Sequence, residues 1–155
     1  MHAMKLSVAN EPVDLSGGIA RLSREDYNAL TIVTKIRRAI RYEIDNSLIA
    51  TFIKKQFDLY LDAHFIEEEV WLFPKLPHTD ALRIQAQKQH DHLRYLAWVC
   101  ANETPVPASL PEEFANYLEE HIRFEERSLF PYIRNARPLY VVKSRSERHI
   151  SFAIN

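Results

Sequence analysis

The chain has 155 residues, of which 46% are hydrophobic and 26% are charged, and its formal net charge at pH 7 is −1. This length predicts one domain with a single core. The near-neutral charge argues against a nucleic-acid or membrane partner, and favours a small ligand or another protein.

The single cysteine, Cys100, cannot form an internal disulfide. Because no apolar signal segment follows Met1, we expect a reducing, cytoplasmic location. No run approaches the roughly 18 apolar residues of a membrane span. The only two glycines are adjacent, at Gly17-Gly18, and most prolines lie near expected helix ends, so the composition favours long helices over a turn-rich β fold.

Residues 1–23 lack steady periodicity and are predicted to form an extended lead-in. Ser23 and Asp26 together resemble a helix start, which predicts a first helix over about residues 24–45. Its apolar stripe consists of Ala29, Val33, Ile36, Ile40 and Ile44.

The second predicted helix runs from about Ser47 to Pro74, where the proline stops the backbone hydrogen bonds. A break is expected at residues 45–47, although they include neither glycine nor proline. Without it, residues 24–76 would form a helix of about 80 Å, which is too long for a compact domain of this size.

The third predicted helix begins after a cap at Thr79 or Asp80 and ends before the loop at residues 102–107. His90 lies on its apolar stripe, whereas His92 is displaced by two positions and should face outward together with Gln89. The stripe consists of Leu82, Ala86, His90, Leu93, Ala97 and Cys100.

The fourth predicted helix begins at Ser109-Leu110-Pro111-Glu112 and ends near Asn135. Four helices joined by short connections predict an all-α, antiparallel up-down-up-down four-helix bundle over residues 24–136. Residues 137–155 are predicted to form a tail, either an arm over the bundle or a contact with a second subunit in a homodimer.

One motif occurs in both halves of the chain. The stretches His64–Pro74 and His121–Pro131 both read His-x3-Glu-x3-Leu-Phe-Pro. Positions i and i+4 share one face of a helix, so each motif presents a histidine and a glutamate together. Apolar residues upstream place both pairs on core-facing stripes, with Phe57 and Leu61 before the first and Phe114 and Leu118 before the second.

Burial of these carboxylates and imidazoles without partners would cost several kcal/mol per ionised group, so a cation is expected to compensate. Imidazole and carboxylate suit Fe, Mn or Zn, and no cysteine lies in either motif. In the predicted bundle, His90 reaches the same cavity. The predicted metal ligands are His64, Glu68, His90, His121 and Glu125.

With these residues the chain resembles the hemerythrin family, specifically its bacterial HHE cation-binding domains, over about residues 24–136. The resemblance rests on the five predicted ligands and the two Leu-Phe-Pro endings. It implies a non-haem di-iron site with bridging carboxylates in a four-helix bundle, and a role in O2 binding, nitric-oxide or redox sensing, or iron handling. Ferritin-like di-iron bundles fit less well because their motif is Glu-x-x-His.

The sequence departs from the family pattern in two places. The family usually has a histidine in the first helix, but none lies between His2 and His64. O2 carriers also have a second histidine one turn before His90, where this chain has Ala86. A single cation or an unevenly occupied pair therefore remains an alternative, as does replacement of one cation by Lys35 or Arg37.

Residues beside the predicted ligands are given simpler roles. Glu67, Glu69 and Glu126 are predicted to be solvated, although Glu126 remains an alternative ligand to Glu125, because family members can use the carboxylate five residues after the last histidine. The aromatic residues predicted to form the core and the walls of the site are Phe65, Trp71, Phe73, Phe124, Phe130 and Tyr132.

Together, these features favour a hemerythrin-like protein that holds iron in a mono- or dinuclear site and binds or senses O2, nitric oxide or iron. Mn or Zn also suits the ligand set. Two alternatives remain: a di-iron enzyme that acts on O2, peroxide or nitric oxide, and a helical interaction module with a degenerate metal site.

Overall fold

The computed structural model describes residues 15–136, and this range contains four helices and no strands. The predicted all-α class is therefore confirmed for these residues. Most of the predicted lead-in and the whole predicted tail lie outside the described residues. The four helices are α1 (Leu15–Arg41), α2 (residues 46–75), α3 (Ala81–Asn102) and α4 (residues 110–135).

Helices α2 and α4 each contain a π-helical turn within the repeated motif. In α2 this turn is Glu68–Leu72; another π-helical turn, Phe57–Leu61, precedes the motif, and a short 3-10 turn, Phe73–Lys75, ends the helix. In α4 the π-helical turn is Glu125–Leu129, followed by the α-helical segment Phe130–Asn135. Each motif therefore has a widened turn that begins at its glutamate, and such turns are frequent at functional sites.

Helix α1 starts earlier than predicted. Residues 15–23 are helical, so the predicted start near residue 24 was wrong. The Gly17-Gly18 pair suggested an irregular segment, but packing explains Gly18. A Cβ atom on Gly18 would lie 2.3 Å from Cη2 of Trp71, so only glycine allows the indole ring to approach α1 this closely.

The predicted break between the first two helices is confirmed, although it lies at residues 42–45 rather than 45–47, because the first helix ends at Arg41 and the second begins at Asn46. Glu43 adopts a positive φ of 54°, and the Asp45 side chain accepts a hydrogen bond of 2.8 Å from the backbone N–H of Ser47. Asp45 thereby caps α2 and satisfies one of the backbone donors exposed at a helix start.

Contacts between successive helices follow a regular order. A residue with a higher number on one helix contacts a residue with a lower number on the next helix. Arg21 pairs with Glu67, and Asp26 with His64, between α1 and α2. Between the other successive helices the pairs are Asp62–Arg94, Glu69–His90, Gln89–His121 and His92–Glu113.

Two clusters of buried apolar side chains form the core. The larger cluster includes Ala29, Phe65, Leu93 and Ile122, and the smaller cluster includes Leu22, Leu72, Ala86 and Leu129. On each helix a buried polar residue lies between the two clusters, so these residues form one polar layer across the core. The layer contains Asp26 on α1, Glu68 on α2, His90 on α3 and Glu125 on α4.

No helix within residues 15–136 combines the length and the apolar composition that a membrane span requires.

Candidate metal centre

The structure brings the five predicted ligands together in the polar layer, and all five are buried. One ligand atom from each of Glu68, His90, His121 and Glu125 lies within 4.8 Å of the others. His64 joins the same layer, since its Nε2 is 3.2 Å from Oε1 of Glu68. The tertiary structure therefore has the convergence that the repeated motif predicts.

A second group of potential ligand atoms adjoins the first. Asp26, His64, Glu68 and Glu125 also have ligand atoms within 4.8 Å of one another, and Glu68 and Glu125 belong to both groups. Asp26 was not among the predicted ligands, because its position after Ser23 resembles a helix start. The signal was nevertheless there, because Asp26 lies four residues after buried Leu22 and three before Ala29, on one apolar stripe.

Three histidines direct their Nε2 atoms into the layer, because each Nδ1–H donates a hydrogen bond to a side chain behind it. This arrangement is typical of metal-binding histidines, whose second nitrogen is held by an acceptor. The pairs are His64 with Glu25 at 2.7 Å, His90 with Glu69 at 2.8 Å, and His121 with Gln89 at 2.8 Å.

The two oxygens of Glu68 face different histidines. Oε1 lies 3.2 Å from Nε2 of His64, and Oε2 lies 3.2 Å from Nε2 of His90. On the opposite helix, Oε1 of Glu125 lies 3.2 Å from Nε2 of His121 and 3.7 Å from Nε2 of His90. Glu68 therefore faces two histidines with separate oxygens, whereas Glu125 faces two histidines with the same oxygen.

Many buried polar atoms of this layer lack a hydrogen-bond partner within residues 15–136. A buried polar atom without a partner costs about 1–3 kcal/mol, and a charged one costs more. A cation among these acceptors would remove that cost, so the residues fit a metal. The atoms are Oδ2 of Asp26, both carboxylate oxygens of Glu68 and of Glu125, Nε2 of His90 and Nε2 of His121; outside the layer, Oε1 of Glu126 also lacks a partner among the described residues.

Two buried carboxyl groups hold their protons more tightly than usual. Burial raises the pKa of Asp26 to about 7, although its hydrogen bond with His64 acts in the opposite direction. Burial, together with the charges of Glu68 and Asp26, raises the pKa of Glu125 well above its ordinary value. Protons at these carboxyls therefore compete with a cation.

The histidines differ in their protonation. Burial lowers the pKa of His64, but its hydrogen bond with Asp26 and the negative charge of nearby Glu68 outweigh this effect and raise the pKa to about 11. Burial and the neighbouring His90 lower the pKa of His121 well below its usual value. His121 is thus better prepared than His64 to bind a cation, because its imidazole stays neutral.

One expectation and one alternative about neighbouring charges were wrong. Glu69 is not simply solvated: besides the bond from His90, it accepts one of 2.7 Å from Arg94, and these bonds outweigh burial and lower its pKa to about 2. Arg37 does not reach the buried carboxylates of the polar layer, because it contacts Asn116 and Glu119 instead. Lys35 is exposed.

Aromatic residues enclose one side of the layer, as predicted for Phe65 and Phe73. The Phe65 ring stacks on His90 with a centroid distance of 4.1 Å and an interplanar angle of 13°, and Phe73 stacks on the same imidazole at 5.2 Å. These rings keep water away from His90. Tyr132 is instead exposed and donates a hydrogen bond of 3.0 Å to Asp80, so the wall prediction was wrong for this residue.

The all-helical fold and its buried cluster of histidines and carboxylates define a helical domain with a candidate cation site. A family model, the hemerythrin HHE cation binding domain, matches residues 18–133. The chain therefore belongs to this family, and the resemblance based on the repeated motif is confirmed. No curated protein and no solved structure gives a significant match to the chain.

Proposed function

We propose that the protein binds non-haem iron in the polar layer and that the iron binds or senses a small ligand such as O2 or nitric oxide. The observation that carries the proposal is the set of buried carboxylate oxygens and imidazole nitrogens that face one another without hydrogen-bond partners within residues 15–136. The proposed ligands are the five predicted residues, His64, Glu68, His90, His121 and Glu125.

The donor set supports iron, because imidazole and carboxylate together suit this metal, while Mn and Zn are alternatives. Bound iron supplies an exchangeable coordination position and a change of redox state. The side chains of this chain hold that position in a dry environment: hydrogen bonds at Nδ1 orient the histidines, and Phe65 and Phe73 exclude water.

The enclosure of the layer supports a diatomic ligand over a larger substrate. Glu68, His90 and Glu125 are fully buried, whereas His64 borders a groove of about 540 Å³ between α1 and α2. A molecule of two atoms can pass His64 with small side-chain motions, but an organic substrate would require the helices to separate.

We also propose that α1 to α4 form the antiparallel up-down-up-down bundle predicted from the sequence. The support is the opposite order of residue numbers in the contacts between successive helices, such as Asp26 with His64 and Glu69 with His90. In this arrangement α2 and α4 run parallel, which accounts for their two motifs at equal depth.

Metal analysis of the full chain tests the proposal. Protein reconstituted anaerobically with ferrous iron should retain one to two equivalents after desalting and develop ligand-to-metal charge-transfer absorption on exposure to air, which changes when azide is added. Glu68→Ala should lose most of this iron, while Glu103→Ala, in the loop after α3, should retain it. Folded wild-type protein that retains no iron would contradict the proposal.

A further inference from the structure

Helix α1 supplies Asp26 to the polar layer, a side chain that was not among the five predicted ligands. Asp26 is only 2% exposed although it carries a carboxylate, and its Oδ1 lies 3.0 Å from Nε2 of His64. Its other oxygen, Oδ2, is buried and has no hydrogen-bond partner within residues 15–136. The bond with His64 therefore satisfies only half of this carboxylate.

The layer divides into two halves around the shared glutamates. His90 and His121 lie in one half, and Asp26 and His64 lie in the other. Glu68 spans the two, because its oxygens face His64 and His90 separately. We name the half with His90 and His121 the histidine-rich position, and the half with Asp26 and His64 the carboxylate-rich position.

We propose that Asp26 is a metal ligand in the carboxylate-rich position and that its carboxylate determines which cation this position prefers. The inference rests on the proposed metal-binding function and extends it to a ligand from α1 and to the kind of cation. An ion pair of Asp26 with His64 is the simpler interpretation, but it leaves Oδ2 of Asp26 and both oxygens of Glu125 without partners. A second cation satisfies these atoms together.

The two positions select different cations. Carboxylate oxygens are hard ligands that suit Mn²⁺ or ferric iron, whereas imidazole pairs suit Zn²⁺ and ferrous iron. The carboxylate-rich position has one imidazole, and the histidine-rich position has two. Mn²⁺ should therefore enter the carboxylate-rich position by preference, and Zn²⁺ should fill the histidine-rich position first.

Titration of the metal-free full chain with Mn²⁺ and with Zn²⁺, followed calorimetrically, tests this proposal. Wild-type protein should bind two equivalents of cation in separable steps. Asp26→Asn keeps the shape of the side chain but removes its charge. We expect this variant to keep one Zn²⁺ with unchanged affinity and to bind Mn²⁺ at least about tenfold more weakly, as for the loss of a charged ligand.

Two variants control for nonspecific effects. Asp58→Asn makes the same chemical change at an exposed position where the carboxylate contacts Lys54, and should leave both titrations unchanged. Asp26→His replaces the carboxylate by an imidazole, so two equivalents of Zn²⁺ should still bind while the preference for Mn²⁺ disappears. Circular dichroism confirms that each variant is folded before it is titrated.

The outcomes separate this inference from the proposed function. Wild-type protein that binds one equivalent, or Asp26→Asn protein that binds Mn²⁺ like the wild type, would overturn the role of Asp26 and leave iron binding intact. If folded wild-type protein binds neither these cations nor iron, both proposals fail. Loss of Mn²⁺ affinity in Asp26→Asn but not in Asp58→Asn supports the inference.

Discussion

Each buried histidine uses its two ring nitrogens for different purposes. Nδ1 donates to an acceptor outside the layer, which fixes the ring, and Nε2 is left to face the carboxylates. For His121 the acceptor is the neutral amide oxygen of Gln89, whereas His64 and His90 donate to glutamates. The pKa of the His121 imidazole is lowered by its burial and by the neighbouring His90.

At this scale we predict that Gln89→Ala weakens metal binding by about 10–100-fold, the usual loss when the partner of a metal-binding histidine is removed. The ring of His121 would no longer be held by its Nδ1 bond. Dissociation constants from competition with a chelator check this. Gln85→Ala, one turn earlier on α3 and exposed, is the matched control. Equal affinities in the two variants would contradict the prediction.

Packing between elements decides where α1 lies. The Trp71 ring on α2 occupies the space beside Gly18, which anchors the first turns of α1 to the motif-bearing helix. Asp26 follows two turns later on α1, so this contact helps to set the height at which its carboxylate meets His64. The glycine is thus required by close approach of an aromatic ring rather than by a turn.

We therefore predict that Gly18→Ala destabilises the protein by about 1–3 kcal/mol, the usual cost of overpacking. At an open helical position the same change would stabilise by about 1 kcal/mol. Urea unfolding of the metal-free wild-type and Gly18→Ala proteins measures the difference in their free energies of unfolding. In a Trp71→Phe background the smaller ring leaves room for the methyl group, so the cost of Gly18→Ala should largely vanish; a cost of equal size there would show that Trp71 is not its cause.

The stability of the whole molecule depends on the protonation of the polar layer. Because the pKa of Asp26 rises from 3.8 to about 7 in the folded protein, its contribution to stability is full below about pH 4 and is lost as the pH rises through 7. His64, with a pKa raised to about 11, contributes fully below 6.5 and loses this contribution as the pH rises through 11. His121 acts oppositely, since its lowered pKa removes stability at acid pH.

At the scale of the molecule, we predict that a bound cation stabilises the fold more at pH 7.5 than at pH 5.5. A cation replaces protons on the buried carboxyls and on His64, so its affinity rises as these groups become easier to deprotonate. When the free cation is at about 100 times its Kd, the free energy of unfolding increases by about 2.7 kcal/mol, or roughly 5–10 °C in Tm. Thermal unfolding with and without Zn²⁺ at the two pH values measures it, and an equal shift at both would contradict the prediction.

Properties that depend on periodicity within one helix could be predicted from the sequence. The His-Glu pairs at i and i+4, the apolar stripes beneath them and the position of His90 all follow from 3.6 residues per turn, and the structure brings these side chains together. The cap at Asp80, one of the two residues predicted to cap the third helix, likewise depends on neighbouring residues only. The sequence by itself therefore determined the helical class and five members of the polar layer.

Only the tertiary structure decided the remaining contacts, because they depend on how one helix is rotated and placed against another. The sequence is equally consistent with Asp26 at a helix start and with Asp26 in the core. Its contact with His64 shows that it lies in the core. Gln89 belongs to the side of α3 expected to face outward, but α4 packs close enough for His121 to reach it. The spacing of residues along one helix does not determine how the neighbouring helix is rotated about its own axis. That rotation decides whether these side chains face the site.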